Sequence, residues 1–218
     1  GVVGVVMGSI SAIRQRAIRR MIAFSSVAQI GYIYMGIGLG TAAGVVAALF
    51  HMIVHAAAKS MLFLSASALS DVSGDSKQFR YLRGSGYRNV PAGIAFTVGA
   101  MSMVGVPLMG GFLSKIYFAQ AGLSLGDARA VITLVTLAVS TLLNTLYFLH
   151  TVISIYRPSE GGDVAPKHSA LASVSLMLMA AINIALGVAS TPLYDALAAG
   201  LARALYADIA QVIVGIVH

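Results

Sequence analysis

The chain has 218 residues, 58% of them hydrophobic and 10% charged, where a soluble domain carries about 25% charge. It contains no cysteine, which excludes disulfides, thiolate metal sites and cysteine-ligated iron–sulfur clusters. A net charge of +7 would point a soluble protein towards nucleic acid, but here the cations fall in short connections between apolar runs, as membrane orientation predicts; the expected surroundings are a lipid bilayer, with no nucleic acid.

A membrane-crossing helix needs about 20 mostly apolar residues, and six stretches are candidates. The first, 1–13, is already apolar at Gly1-Val2-Val3. No basic flank precedes it and no A-x-A site follows, so it is not a signal sequence; the chain is expected to start inside a truncated helix and to be a fragment. The second and third are 20–39 and 43–70. Gly4-x-x-x-Gly8 and Gly36-x-x-x-Gly40 are weak candidates for close helix packing. The fourth, 91–122, is too long for one straight crossing and contains Gly105-Val106-Pro107-Leu108-Met109-Gly110-Gly111. Proline removes a backbone donor and glycine loosens the helix, so a discontinuous helix is predicted, about 91–104 and 112–122, of the kind that marks ion sites in transporters. The fifth and sixth are 130–156 and 170–191. None sustains period-2 alternation, so strands are not expected. In the tail, Leu193, Leu197, Leu201 and Leu205 repeat every four residues while Asp195, Arg203 and Asp208 fall off that stripe, predicting an amphipathic helix lying on the membrane or on another subunit. The expected organisation is an all-α, polytopic transmembrane helical bundle over 1–191, with an amphipathic tail over 192–218.

The connections alternate in charge. Arg14, Arg16, Arg19 and Arg20, then Lys77, Arg80, Arg83 and Arg88, then Arg157 and Lys167 fall on one side, whereas the opposite connections and the tail hold only Arg129 and Arg203. The richly basic side belongs in the cytoplasm, which implies a multi-pass protein of a plasma (inner) membrane.

The chemistry concentrates in the third span. His51, His55 and Lys59 are spaced i, i+4, i+8, which stacks them on one helical face with neighbours about 6 Å apart. A charged lysine at the bilayer centre costs at least about 2.5 kcal/mol, and histidine passes protons near neutral pH; together they read as a proton relay. Two histidines at this spacing also suit zinc, but no HExxH glutamate or further acidic ligand accompanies them, so no metal is expected. Lys115 follows the break in the fourth span and Ser114 is a candidate cap for its second half. Ser140, Asn144, Tyr147 and Thr151, with His150 nearby, form a weaker polar stripe in the fifth span, suited either to the same wet path or to interhelical bonding. The acids Asp71, Asp75, Asp127, Glu160, Asp163, Asp195 and Asp208 fall in connections or the tail, so the intramembrane lysines have no counter-ion within the spans.

Three segments carry a resemblance. Gln15-Arg16-Ala17-Ile18-Arg19-Arg20-Met21-Ile22-Ala23-Phe24-Ser25-Ser26-Val27-Ala28-Gln29-Ile30-Gly31-Tyr32 resembles the Q-x-D-L-K-R-x-L-A-Y-S-S-x-x-Q-I-G-Y signature of the antiporter-like membrane subunits found in complex I, Mrp antiporters and membrane-bound hydrogenases. Phe50–Leu64 is similar to that family's F-H-x-x-x-H-A-x-x-K-x-x-L-F-L helix, and Val104–Lys115 to its G-x-P-P-x-x-G-F-x-S-K broken helix. The resemblance implies the C-terminal half of an inverted-repeat fold, with His51, His55 and Lys59 on a central hydrophilic axis and Lys115 as an outlet lysine. Arg19, Ser25 and Ser26 fall within the first motif as supporting positions. Ala17 stands where the family has Asp, Arg19 where it has Lys, and Leu108 where it has a second Pro, which is expected to soften the break. Arginine keeps its proton, so Arg19 steers charge without relaying it. The implied function is proton translocation or cation/proton exchange, with protons and Na+ as candidate ions, alongside other membrane subunits of a larger complex. No quinone, flavin or cluster signature is present, so no cofactor is expected and the chain is not a catalyst by itself. Two other readings stay open: a structural subunit whose polar residues serve assembly, and an unrelated secondary transporter.

Overall fold

The computed structural model describes residues 1–158 and 169–217, with side chains of the last helix described as far as Ala204. Glu160, Asp163 and Lys167 lie outside the described residues, as do the side chains of Leu205 and Asp208. The helices are α1 (Val2–Ile13), α2 (Ile18–Gly38), α3 (Ala42–Asp71), the one-turn α4 (Ser85–Arg88), α5 (Val90–Val104), α6 (Gly110–Leu123), α7 (Ala128–Tyr156), α8 (Ala170–Val188) and α9 (Ser190–Val217). Among the described residues there is no strand, only an isolated antiparallel bridge between Ala17 and Gln78. By length and composition α2, α3, α7 and α8 suffice to cross a membrane, and α1 and α5 are shorter apolar helices.

The helix starts carry local signals. Thr41 accepts from Gly44 N at 3.1 Å and Asn89 from Ala92 N at 3.2 Å. Asp127 accepts from Arg129 N at 2.8 Å and Ser169 from Ala172 N at 3.4 Å. Each side-chain oxygen satisfies a donor that the first turn leaves open. Asp127 also pairs with the Arg129 guanidinium at 2.8 Å, and hydrogen bonds from Arg129 hold its carboxyl below the usual carboxylate range. Arg129 Nη1 donates to Leu39 O at 3.0 Å, tying α7 to the end of α2.

α3 occupies the middle of the bundle, packed by α2, α5, α6, α8 and α9, while α7 packs on α1, α5 and α6. Where α1 meets α2 the backbones touch: a Cβ on Gly8 would lie 2.5 Å from Ala28 N, and one on Gly31 2.5 Å from Val5 N. The expected Gly4–Gly8 step is therefore a true close-packing surface. Gly40 is instead a turn residue with φ +69°. Two apolar clusters form the interior. One gathers Ile22 of α2, Ala58 of α3 and Tyr147 of α7 with much of α5; the other gathers Tyr32, Ala48 and Leu137 of the same three helices with Val5 and Phe118. The tail is helical from Ser190, so the sixth span ends at Val188 rather than 191. Tyr194 of α9 stacks on Tyr117 with ring centroids 4.0 Å apart, and Asp195 and Arg203 face away, exposed.

The fourth span is broken as predicted, between Val104 and Gly110. α5 ends at Gly105, whose φ of +90° is a left-handed conformation that side chains resist. Leu108 also has a positive φ, +72°. Proline is locked near −65°, so the residue standing in the second-proline position takes a conformation that proline cannot reach; the turn is reshaped, beyond the softening expected from sequence. α8 presses on it, for a Cβ on Gly187 would lie 2.0 Å from Leu108 O.

Gly187→Ala is therefore expected to destabilise the protein by about 1–3 kcal/mol through overpacking, whereas Gly38→Ala, whose Cβ would meet nothing within 4 Å, should be neutral or slightly stabilising; thermal unfolding in detergent compares the two. Gly105→Ala should cost about 1–2 kcal/mol in backbone strain, and its Cβ would also crowd Lys115 Nζ at 3.0 Å.

Candidate functional site

The polar residues of α2, α3 and α7 lie between the two apolar clusters. On α2, Ser25 and Gln29 come between Ile22 and Tyr32; on α3, His51 and His55 between Ala48 and Ala58; on α7, Ser140 and Asn144 between Leu137 and Tyr147. Ser25, Ser140 and Asn144 are fully buried, His51 is 2% exposed and Lys59 6%. The helical spacing read from sequence thus puts a polar band across the middle of the bundle.

Lys59 sits at one end of it. Its ammonium donates to Ile22 O at 2.9 Å and to Ser25 Oγ by a short bond, and lies 5.7 Å from the centroid of Phe148. Ser25 donates its own hydroxyl back to Ile22 O at 2.8 Å, which turns its lone pairs to the lysine. Ser26 bonds only Ile22 O, at 3.2 Å. One turn further along α3 is His55, half-buried, with its buried Nδ1 unpartnered. His51 stacks beyond it, the rings 6.1 Å apart and 10° from parallel. His51 Nδ1 meets Ser114 Oγ at 3.0 Å, and Ser114 also donates to Gly111 O at 3.0 Å. Ser114 is thus a link to α3 and not the cap of α6, whose N-cap is Met109 with no side-chain bond. His51 Nε2 is buried without a protein partner.

Lys115 repeats the arrangement seen at Lys59. Its ammonium donates to Val104 O at 2.6 Å, the carbonyl freed by the break, and to Thr141 Oγ1 at 2.9 Å. Thr141 donates back to Leu137 O at 2.8 Å. Asn144 Nδ2 donates to Met103 O at 3.4 Å, and Tyr147 donates to Asn144 Oδ1. Ser140 is buried with no protein partner. His150 is exposed at a cavity of about 340 Å³ between α1 and α7, where Tyr147 and Thr151 also line the wall. Arg19 lies apart, donating to Ser67 Oγ at 2.8 Å.

Tyr32 and Thr141 belong to this site and were not singled out by sequence. Tyr32 is fully buried, its ring 5.4 Å from that of His51, and its hydroxyl has no protein partner. The signal was there: Ser25, Gln29 and Tyr32 are spaced i, i+4, i+7 on α2. Thr141 gave none, since a threonine in an apolar helix most often bonds its own backbone, as this one also does.

Residues 1–143 match the family described as "NADH:quinone oxidoreductase/Mrp antiporter, TM". NADH-quinone oxidoreductase subunit N of Desulforudis audaxviator is 37% identical over 70% of this chain and 30% of its own length. Subunit N of Geobacter metallireducens is 31% identical over 90% of this chain and 41% of its own. Among solved structures, a chain of the membrane-bound sulfane sulfur reductase, an archaeal respiratory membrane complex, superposes with a TM-score of 0.79 at 30% identity, covering 91% of this chain and 39% of that one. A chain of the Mrp complex from Dietzia sp. DQ12-45-1b has the same fold, with a TM-score of 0.76 at 23% identity over 90% of this chain and 44% of that one. The chain thus spans less than half the length of the proteins it matches. A bundle of apolar helices, one of them broken, around a band of buried histidine and lysine, with this match over most of its length, belongs to the NADH:quinone oxidoreductase/Mrp antiporter transmembrane family.

Proposed function

We propose that this chain forms part of the proton-conducting path of a membrane subunit in a multi-subunit complex, redox-driven or Mrp-type, and that Lys59, His55, His51 and Lys115 carry the proton. The observation that supports this most is the way both lysines are held. Each donates to one carbonyl and one hydroxyl. An ammonium has three N–H donors, so a third remains for hand-off. Among the described residues no carboxylate pairs with either ammonium to lock the charged form in place, and neutral acceptors hold the free amine as well. Each lysine can therefore load and release a proton without leaving its seat.

The path runs from the cavity at His150, past Tyr147 and Ser25, to Lys59, then along His55 and His51 to Ser114 and the broken helix at Lys115. Gln29 Nε2, Tyr32 Oη, His51 Nε2, His55 Nδ1 and Ser140 Oγ are buried in this band without protein partners. Buried polar groups of that kind are met by internal water, which would complete the proton wire. Among the described residues the band is lined by lysine and imidazole, groups that take up and release protons, which supports H+ as cargo. The basic end belongs on the cytoplasmic side, and the similar proteins named above are bacterial or archaeal, which supports a prokaryotic plasma (inner) membrane. α9, fastened through Tyr194, is proposed to lie against the membrane or a neighbouring subunit.

The test is coupled proton flux in vesicles carrying the full-length protein in its complex. Lys59→Ala and Lys115→Ala should each cut flux at least about tenfold, the effect of 1.4 kcal/mol on a barrier, with assembly intact. Lys59→Arg should fail as well, because a guanidinium does not release its proton. His150→Ala should slow entry only partly, since its cavity also opens to water. Unchanged flux in both alanine variants would leave a structural subunit as the better account.

A further inference from the structure

The basic end of the bundle holds a second polar site, separate from the buried band. The connection between α1 and α2 is zipped to the segment that follows α3: Ile18 N donates to Lys77 O at 2.9 Å and Phe79 N to Arg16 O at 3.2 Å, around the Ala17–Gln78 bridge. Beside this frame is a cavity of about 560 Å³, within the range of small-ligand sites. Arg16, Arg20 and Lys77 line it, Ser76 and Gln78 add uncharged donors, and none of its lining residues is acidic.

Three neighbouring cations at this end have partners within the chain. Arg19 bonds Ser67, Arg88 bonds Val72 O and Ser73 Oγ at 3.0 and 3.1 Å, and Arg80 rests 4.3 Å from the Tyr81 ring centroid. Among the described residues, no ion pair joins Arg16, Arg20 or Lys77 to an acid, and all three, exposed to solvent, line this one open cavity. Three like charges around one space repel one another, and a ligand with a negative charge relieves that repulsion. Arginine presents a planar fork that matches phosphate oxygens in pairs, and lysine adds a point charge.

We propose that this cavity binds a phosphate-bearing anion. Its position favours the headgroup of an anionic phospholipid as the source. The cavity lies where α1 and α3 end and α2 begins, at the basic end of the bundle that charge asymmetry assigns to the cytoplasmic side, and basic pockets on that side of membrane helices suit such headgroups. The ligand would tie the α1–α2 connection to the segment after α3, the two strands of chain that frame the site.

The full-length protein in its complex is reconstituted in nanodiscs of neutral phosphatidylcholine, with or without phosphatidylglycerol, and bound lipid is read by native mass spectrometry. Wild type should retain phosphatidylglycerol, and Arg16→Gln/Arg20→Gln/Lys77→Gln should lower that retention about tenfold. Ala17→Asp is the second variant. Ala17 is the N-cap of α2, where aspartate is favoured, so the fold is kept while a carboxylate enters the cavity; it too should lower retention. Inorganic phosphate titrated into neutral discs separates the sources. A thermal shift in wild type that both variants lose, without preferential lipid retention, assigns the site to free phosphate. Equal lipid retention in wild type and both variants, with no phosphate shift in any, overturns the proposal.

Discussion

An ammonium inside a membrane must find acceptors, and among the described residues both lysines find them in carbonyls and hydroxyls. Ile22 O takes bonds from Lys59 Nζ and from the hydroxyls of Ser25 and Ser26. Val104 O takes the bond from Lys115, and Thr141 supplies the hydroxyl. In each case the hydroxyl donates to a carbonyl of its own helix, so its lone pairs face the lysine. A carboxylate would bind the charged form far more tightly than the neutral one and fix the lysine in one state. Carbonyls and hydroxyls discriminate less. Two features go with that choice: α2 passes within a lysine's reach of α3, which the close Gly36–Gly44 contact between them helps to set, and the break in the fourth span exposes the Val104 carbonyl inside the bundle.

The polar band also explains why the interior is divided. Ile22, Ala58 and Tyr147 belong to one apolar cluster, and Tyr32, Ala48 and Leu137 of the same helices to the other. The band fills the seam on all three helices. Packing on either side fixes the helices rigidly, and the seam keeps groups such as Ser140 and His51 Nε2 buried but unpaired. Unpaired polar atoms in an apolar setting are costly, and they concentrate here, at the level of the two lysines.

Much of this was legible in the sequence, because membrane helices speak through long-range patterns. Span boundaries fell within a few residues of the observed helices, and the i, i+4, i+8 spacing placed His51, His55 and Lys59 on one face. The break at Gly105–Met109 was legible from proline and glycine. What sequence could not give was pairing between helices. Nothing in Ser25 distinguishes an acceptor for Lys59 from Ser26, one residue on, which serves only its own backbone. Thr141 and Tyr32 were missed for the same reason, since their role depends on what stands opposite. Ser114 was misread as a cap because a serine beside a helix start usually is one; it lies one turn inside α6 and reaches across to His51.

Leu108 shows how one local departure propagates. With φ at +72° its carbonyl turns towards α8, and only a residue without a side chain can stand opposite, hence Gly187. The same turn leaves the Leu108 side chain 75% exposed on this chain, while Gly110 and Gly111 pass against Val54 and Ser102 O with no room for a Cβ. The break is therefore not a loose loop but a backbone seated on three neighbouring helices. Such enclosure is what allows irregular backbone to survive within a bilayer. It also fixes the freed carbonyl of Val104 at hydrogen-bonding distance from Lys115, so the seat of the second lysine depends on a glycine more than seventy residues further along the chain.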